Sequence, residues 1–508
     1  MAAGISRTWR LAPCSLILFA IPLAQTQDAP CTALTRVPSP CSEAEKPAPD
    51  LVATLDGKPI HLSDLDEATR TEVMGLEEAV ATAKQKALRR EIELVLLELE
   101  AARVHVDAKR LAYDEMVRKV ASPSDEEVKR EITDHPDRYK RVEGRSERAA
   151  SAIYERALTA RAKQFFASLE QRFPVTAADL AGAPASASTV LARVGDRQIV
   201  AAQVSANIEA AGTKARLEVR QDEQAAIQRI AHDRLVAAEA ARRGISADEL
   251  VRLEVTSKTA PLTDDGVKKE WERYKILYGS DFASADADVR KDLAADHKEQ
   301  AEKAFDGLLR KGHETSLPFE IPHDPALKID IGRAAFTGPE TAAVTLVEWG
   351  DFQCPPCGYM SKIIDEVIPA YGTRVRYVFL QFPLSIHQNA WKSAEAALAA
   401  HAQGKFFPYA HLLFANQKAL DVASLKKYAA QAGLDTTKFE NDLDSGTFAP
   451  DVFDEKRRGQ RAGVDSTPTF FLNGVEQGPS FYTLEGMRAA IDAELAKPLT
   501  GNHAPQSH

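Results

Sequence analysis

The sequence predicts a multidomain chain that is mostly α-helical over its first part and α/β over its last third, with a helical insertion inside the α/β part. Three observations lead there. The chain has 508 residues, enough for several cores, and its 27% charged and 7% aromatic residues suit long solvated helices. A pattern within residues 51–305 repeats at one constant spacing. An apolar strand pattern, Val344-Thr345-Leu346-Val347, runs into Phe352-Gln353-Cys354-Pro355-Pro356-Cys357, where a helical pattern opens.

The first 26 residues have the form of an export signal. Arg7 and Arg10 precede an apolar run from Leu11 to Leu23, followed by Ala24-Gln25-Thr26-Gln27. The run falls short of the roughly 20 residues that span a bilayer, so a cleaved signal (1–26) and a periplasmic or otherwise exported protein are expected. Leu11-Ala12-Pro13-Cys14 faintly resembles a lipoprotein box but precedes the apolar run instead of ending it, which leaves membrane attachment as the lesser alternative. A Pro-rich linker (27–50) follows. Once Cys14 leaves with the signal, four cysteines remain. Cys354 and Cys357 are a local pair, so Cys31 and Cys41 are the candidate structural disulfide; the other reading is two thiols in a Pro-rich segment. A net charge of −10 without a basic cluster argues against nucleic-acid binding.

The repeat spans two stretches, 51–176 and 190–322. Leu51-Val52-Ala53-Thr54-Leu55-Asp56-Gly57 recurs as Val190-Leu191-Ala192-Arg193-Val194-Gly195-Asp196, Glu100-Ala101 as Glu239-Ala240, Ser124-Asp125 as Thr263-Asp264, and Phe166 as Phe305. Each offset is the same: 190 − 51, 239 − 100, 263 − 124 and 305 − 166 all equal 139. Each stretch opens on a short alternating strand around a Gly/Asp turn, and helices follow. Val80, Ala83, Ala87, Ile92, Val95, Leu96 and Leu99 keep largely to 3–4-residue steps. Ser124-Asp125-Glu126-Glu127 carries a capping-box pattern, whereas Thr263-Asp264-Asp265 lacks the Glu. This pattern resembles the helical chaperone module of SurA-type periplasmic folding factors. Glu239-Ala240 and Gly244-Ile245 fit that resemblance, and His105-Val106 departs from it. The resemblance implies binding of unfolded chains; a helical spacer or dimerisation arm, and with it a homodimer, is the other reading.

The two cysteines alone are compatible with half a zinc site. No further ligands stand at useful spacing, so no metal and no cofactor are expected. Ser466-Thr467-Pro468-Thr469-Phe470-Phe471-Leu472-Asn473-Gly474 reads as a turn, a strand and a hairpin turn at Asn-Gly. Strand–CxxC–helix followed by Thr-Pro–strand resembles the thioredoxin fold. With Phe382-Pro383-Leu384, His387 and the helical stretch from Ala399, residues 329–497 resemble its DsbA-like branch, leaving 498–508 as a tail. The resemblance implies a protein disulfide oxidoreductase, acting on unfolded or cysteine-containing exported proteins and renewed by a membrane redox partner. A holdase or assembly protein that uses this domain mainly for binding is the alternative.

Cys354 is expected to be the exposed nucleophile at the helix opening, and Cys357, one turn in, the buried resolving thiol. The family's strong oxidants carry His at the position of Pro356. Pro356 brings no charge and no N–H, so the Cys354 pKa is expected between roughly 3.5 and 7, nearer the upper value. The resemblance implies that Glu348 moves protons for Cys357, that Thr467 and Pro468 line a client strand, and that Phe352 and Pro356 border it. Strand alternation places Leu346 and Glu348 on one face, Val347 and Trp349 on the other. His387 is expected to pack at a helix start without a partner.

Overall fold

The computed structural model describes residues 50–139, 145–180, 186–274, 278, 281–322 and 326–497. The signal segment, Cys14, Cys31, Cys41 and the tail lie outside the described residues.

The chain begins with a hairpin, β1 (Leu51–Leu55) and β2 (Lys58–His61), closed by Asp56 and Gly57. Both turn residues have positive φ, 50° and 75°, as a two-residue hairpin turn of the tightest kind requires. Five helices follow: α1 (Glu67–Met74), α2 (Leu76–Val104), α3 (Ala108–Met116), α4 (Asp125–Asp134) and α5 (Arg145–Arg172). Strand β3 (Val175–Ala177) ends this stretch. The next elements are β4 (Val190–Val194), β5 (Arg197–Val200), α6 (Ala201–Arg243), α7 (Ala247–Glu254), α8 (Asp264–Arg273), α9 (Phe282–Leu309) and β6 (Thr315–Ser316).

The element ends keep the sequence offset. From β1 to β4 the starts differ by 190 − 51 = 139, from α4 to α8 by 264 − 125 = 139, and α2 and α6 end 243 − 104 = 139 apart. Local chemistry accounts for the differences. Gly75 separates α1 from α2, and its counterpart Lys214 lies inside one continuous helix, α6. Ser124 and Glu127 form the full capping box, while Thr263 only accepts from the Gly266 N–H at 3.1 Å. Helix α6 ends on Gly244 at φ 70°, a left-handed position that suits glycine; α2 ends on His105 in the same conformation at φ 57°.

The two stretches do not form consecutive separate cores, as the sequence reading had placed them. They interleave. Strand β6 pairs with β1, and β3 pairs with β4, so each hairpin takes its third strand from the other stretch. Val52, Leu55 and Ile60 of the first hairpin pack with Ile227 and Leu235 of α6, while Leu191, Val194 and Ile199 of the second pack with Leu88, Ile92 and Leu96 of α2. Glu77 and Arg216 form an ion pair at 2.7 Å, and 216 − 77 is again 139. Contact between equivalent positions marks a local twofold relationship, the arrangement of an exchanged dimer contained in one chain.

The last third is built on a five-stranded sheet. Its elements are β7 (Ala335–Thr337), β8 (Val344–Gly350), α10 (Pro355–Tyr371), β9 (Val375–Gln381), then five helices, α11 (Ala390–His401), α12 (Phe406–Ala415), α13 (Val422–Gln431), α14 (Thr436–Ser445) and α15 (Ala449–Arg461), and finally β10 (Thr469–Leu472), β11 (Val475–Glu476) and α16 (Leu484–Ala496). The strand order is β11-β10-β8-β9-β7, with β8 and β9 parallel and the other pairs antiparallel. Helices α11 to α15 are the insertion between β9 and the Thr467–Pro468 loop. Both faces of the sheet are covered, which explains the unbroken apolar strands. Leu346 packs in a core with Ile364 and Val367 of α10 and Met487 of α16, and Val347 and Trp349 in a second core with Leu380 and Val464. Gly459 of α15 permits the second core to close, because a Cβ there would stand 2.8 Å from the Trp349 ring nitrogen.

Ion pairs join the helical part to this domain: Lys109–Asp451 at 2.9 Å, Arg461–Glu91 at 3.1 Å and Lys214–Glu476 at 2.7 Å. Tyr113 stacks on Trp391 with ring centres 6.4 Å apart, and Tyr274, the C-cap of α8, meets Tyr359 of α10 at 5.8 Å.

Candidate active site

Cys354 is the N-cap of α10, with Pro355 and Pro356 in the first turn, where a missing N–H costs nothing. The Gly358 N–H reaches the Cys354 carbonyl at 3.2 Å and the Cys354 N–H reaches the Asp351 carbonyl at 3.1 Å. Both thiols are free. The Cys354 Sγ donates to the Thr467 carbonyl at 3.3 Å, and the Thr467–Pro468 peptide is cis. Cys354 and the Thr467–Pro468 loop thus meet.

Cys354 is not exposed, contrary to expectation: 4% of its surface is accessible. The Thr467 loop lies against the sulfur, and Gln417 holds the turn from the other side by donating to the carbonyls of Phe352 at 3.0 Å and Cys354 at 2.7 Å. Phe352 is likewise not a client-facing residue. It is buried among Phe379, Phe406 and Phe414, with ring centres 4.9–6.4 Å away, because the inserted α12 supplies two aromatic partners. Thr467 and Pro468 are buried and Pro356 is half-buried.

The two thiols are driven apart. The hydrogen bond from Cys357 lowers the Cys354 pKa and outweighs the burial that would raise it, with a further lowering contribution from the Cys357 N–H. Burial pushes the Cys357 thiol well up, and the neighbouring Cys354 and Glu348 charges push it further. Glu348 is 2% exposed, on the Leu346 face of β8. Burial raises its pKa to about 8 against the opposing hydrogen bond from Tyr377, whose hydroxyl donates at 2.6 Å. A surface strand carboxylate is therefore excluded.

Sequence reasoning missed three groups. The buried Asp351 carboxylate accepts from the Gln353 N–H at 2.7 Å, the Leu384 N–H at 2.9 Å and His387 Nδ1 at 2.7 Å. His387 does precede α11, but it has a partner, and its pKa is raised: the Asp351 hydrogen bond and charge overcome the opposing effect of burial. Tyr377 and Gln417 complete the surroundings. Asp351, three positions before Cys354, was the one signal in the sequence that could have been followed.

Residues 332–493 match the Thioredoxin family, and this C-terminal region is a thioredoxin-like domain. A 175-residue stretch is 37% identical to the Na(+)/H(+) antiporter NhaA 3 of Salinispora tropica, covering 34% of this chain and 26% of that protein. A 168-residue stretch is 38% identical to the Na(+)/H(+) antiporter NhaA of Herminiimonas arsenicoxydans, covering 32% and 26%. The chain thus spans about a quarter of the length of these curated relatives. No helix among the described residues is long and apolar enough to cross a membrane. Among solved structures, BdbD from Bacillus subtilis is 22% identical over 33% of this chain and 96% of its own, with a TM-score of 0.30. The catalytic domain of Proteus mirabilis ScsC is 18% identical over 34% and 94%, with a TM-score of 0.29.

Proposed function

We propose that the chain is an exported thiol–disulfide oxidoreductase that acts on folding polypeptides through Cys354 and Cys357, with the interleaved tandem modules binding unfolded clients. The observation that carries the redox reading is the pairing of two free thiols with opposed pKa shifts at a helix N-terminus, one of them against the Thr467 carbonyl.

In the oxidising direction a client thiolate attacks the Cys354 sulfur of the Cys354–Cys357 disulfide, and Cys357 leaves as a thiolate. Glu348, neutral below its pKa of about 8, supplies the proton that the buried Cys357 needs. A second client thiolate then attacks the client sulfur of the mixed disulfide and releases Cys354. The client loses two electrons and two protons; the dithiol gains the electrons, Cys357 keeps the proton from Glu348, one client proton restores Glu348 through solvent, and the other goes to Cys354 or to solvent. Reduction is the same sequence reversed. Thr467 offers backbone groups to an extended client strand once the Cys354 thiol no longer occupies its carbonyl.

Equilibration with glutathione buffers, followed by mass analysis of alkylated fragments, tests this. A Cys354–Cys357 disulfide forming in one two-electron step supports the reading; glutathione adducts with no such disulfide at any ratio oppose it.

A further inference from the structure

Two arginines at the junction of the helical part and the thioredoxin-like domain form no direct ion pair among the described residues. Arg90 of α2 and Arg457 of α15 line a cavity of about 770 Å³. Neither is in an ion pair, although each is partly buried. Arg90 has only a long contact, 3.5 Å, to the Arg461 carbonyl, and Arg457 only the face of the Phe453 ring, 5.9 Å from its centre. The acids around them are engaged elsewhere: Glu93 by Arg89 at 2.9 Å, Glu91 by Arg461 at 3.1 Å, Glu155 by Lys456 at 3.4 Å. Asp465 sits exposed at the rim. Glu93 attracts both arginines, and Asp454 attracts Arg457, only from beyond ion-pair distance, so each guanidinium keeps N–H donors that a bound carboxylate can take. Burial accordingly depresses the pKa of both.

The position of the cavity connects it to the dithiol. Its wall includes Ser466, next to Thr467, and Leu384, whose N–H is held by Asp351. On its other side, Glu93, Glu155, Lys456, Arg457 and Gln460 also line a second cavity of about 560 Å³. That one is lined by Met116, Leu158, Phe166, Trp391 and Phe453. A chamber lined by Arg90, Lys456, Arg457 and Arg461, with Glu93, Glu155 and Asp465 among them, therefore adjoins the redox loops and opens beside a more apolar one.

We propose that this junction is a client-binding site for an extended segment in which apolar side chains adjoin carboxylates: the carboxylates pair with Arg90 and Arg457 in the first cavity, and the apolar side chains enter the Phe166–Trp391 chamber. This rests on the reading that the domain acts on polypeptides. It places client selection between the helical part and the redox domain, within reach of the Thr467 strand edge.

The test uses the full chain and a labelled, cysteine-free peptide with two leucines beside two glutamates. Its counterparts carry lysines for the glutamates or serines for the leucines, and binding is read by fluorescence anisotropy. The leucine–glutamate peptide is expected to bind about tenfold tighter than either, about 1.4 kcal/mol. The R90Q/R457Q double variant loses that preference, while its melting temperature without peptide stays level or rises, since two partly buried charges without a direct partner have gone. Equal affinity for all peptides, or undiminished affinity in the double variant, overturns the proposal. So does a melting temperature that falls together with binding, which makes the arginines structural. Displacement of the peptide by dodecanoate at lower concentration assigns the site to small amphiphiles and also overturns it. Because the peptide has no cysteine, these outcomes are independent of the glutathione experiment, which alone decides the redox reading.

Discussion

Asp351 Oδ2 and His387 Nδ1 lie 2.7 Å apart, and the same carboxylate bears on Cys354, whose thiol pKa its charge raises. Protonated His387 neutralises that carboxylate and so favours the Cys354 thiolate indirectly. Pro356 supplies no cation to Cys354, but His387 supplies one from another loop. His387→Ala should therefore raise the Cys354 pKa and make the disulfide a weaker oxidant, by about 30 mV for each tenfold change in equilibrium constant. Thiolate absorbance against pH reads the first effect and glutathione equilibration the second. Arg148 and Cys354 are the other charges bearing on His387. Since the folded His387 pKa is raised, its stabilisation is full below about 6.5, the unfolded value, and is lost as pH rises through the folded value. An unchanged thiolate titration in the variant would assign His387 to packing alone.

Glu348 predicts a second pH dependence with its own window. Its folded pKa of about 8 lies above the ordinary carboxyl value of 4.5, so the folded state holds an extra proton between them. Stability from this group is greatest below about pH 4.5 and falls as pH rises towards 8. Glu348→Gln removes that fall, and the variant should resist urea better than the parent at about pH 9. Glu455, also raised to about 8 by burial, keeps its own contribution in both proteins. Formation of mixed disulfides from the oxidised protein should slow in the same variant, because the departing Cys357 loses its proton source.

His105 ends α2 in a left-handed conformation at φ 57°, where Gly244 ends α6. The side chain is exposed. His105→Gly should stabilise the fold by about 0.5–1 kcal/mol, the left-handed cost less glycine's greater unfolded entropy. Urea unfolding of the two proteins checks the sign; a loss of stability would mean that His105 makes a contact worth more than its backbone cost.

The exchange of strands between the two stretches predicts that neither folds alone as a monomer. A chain of residues 186–322 lacks β3 and the α2 core on which its hairpin packs. It should be unfolded by circular dichroism or associate in sedimentation, where two copies can supply each other's missing parts. A folded monomer would contradict the interleaved packing.

What the sequence disclosed and what it hid follow from range. The CxxC helix with Pro355 at its start, the Ser124–Glu127 cap and the Asn473-Gly474 turn depend on neighbours a few positions apart, and each was legible. The Asn473 and Gly474 φ values of 49° and 84° fit the turn that pair encodes. Asp351 was hidden because its partners Leu384 and His387 lie 33 and 36 positions on. Phe352 looked like a surface flank of the motif; its burial depends on Phe406 and Phe414 from the inserted helices. The repeat was readable from one offset, but the strand exchange was not, since periodicity carries no information on which hairpin a strand completes.

The division of labour between the two cysteines is the centre of the account, and trapping of mixed disulfides tests it most directly. Cys357→Ala leaves the Cys354 nucleophile without its resolving partner, so stable mixed disulfides with cysteine-containing unfolded clients should accumulate on non-reducing gels. Cys354→Ala leaves only the fully buried Cys357, 0% exposed, and should trap none. Trapping by Cys354→Ala and not by Cys357→Ala would reverse the two roles, and trapping by neither would remove the dithiol from the reaction.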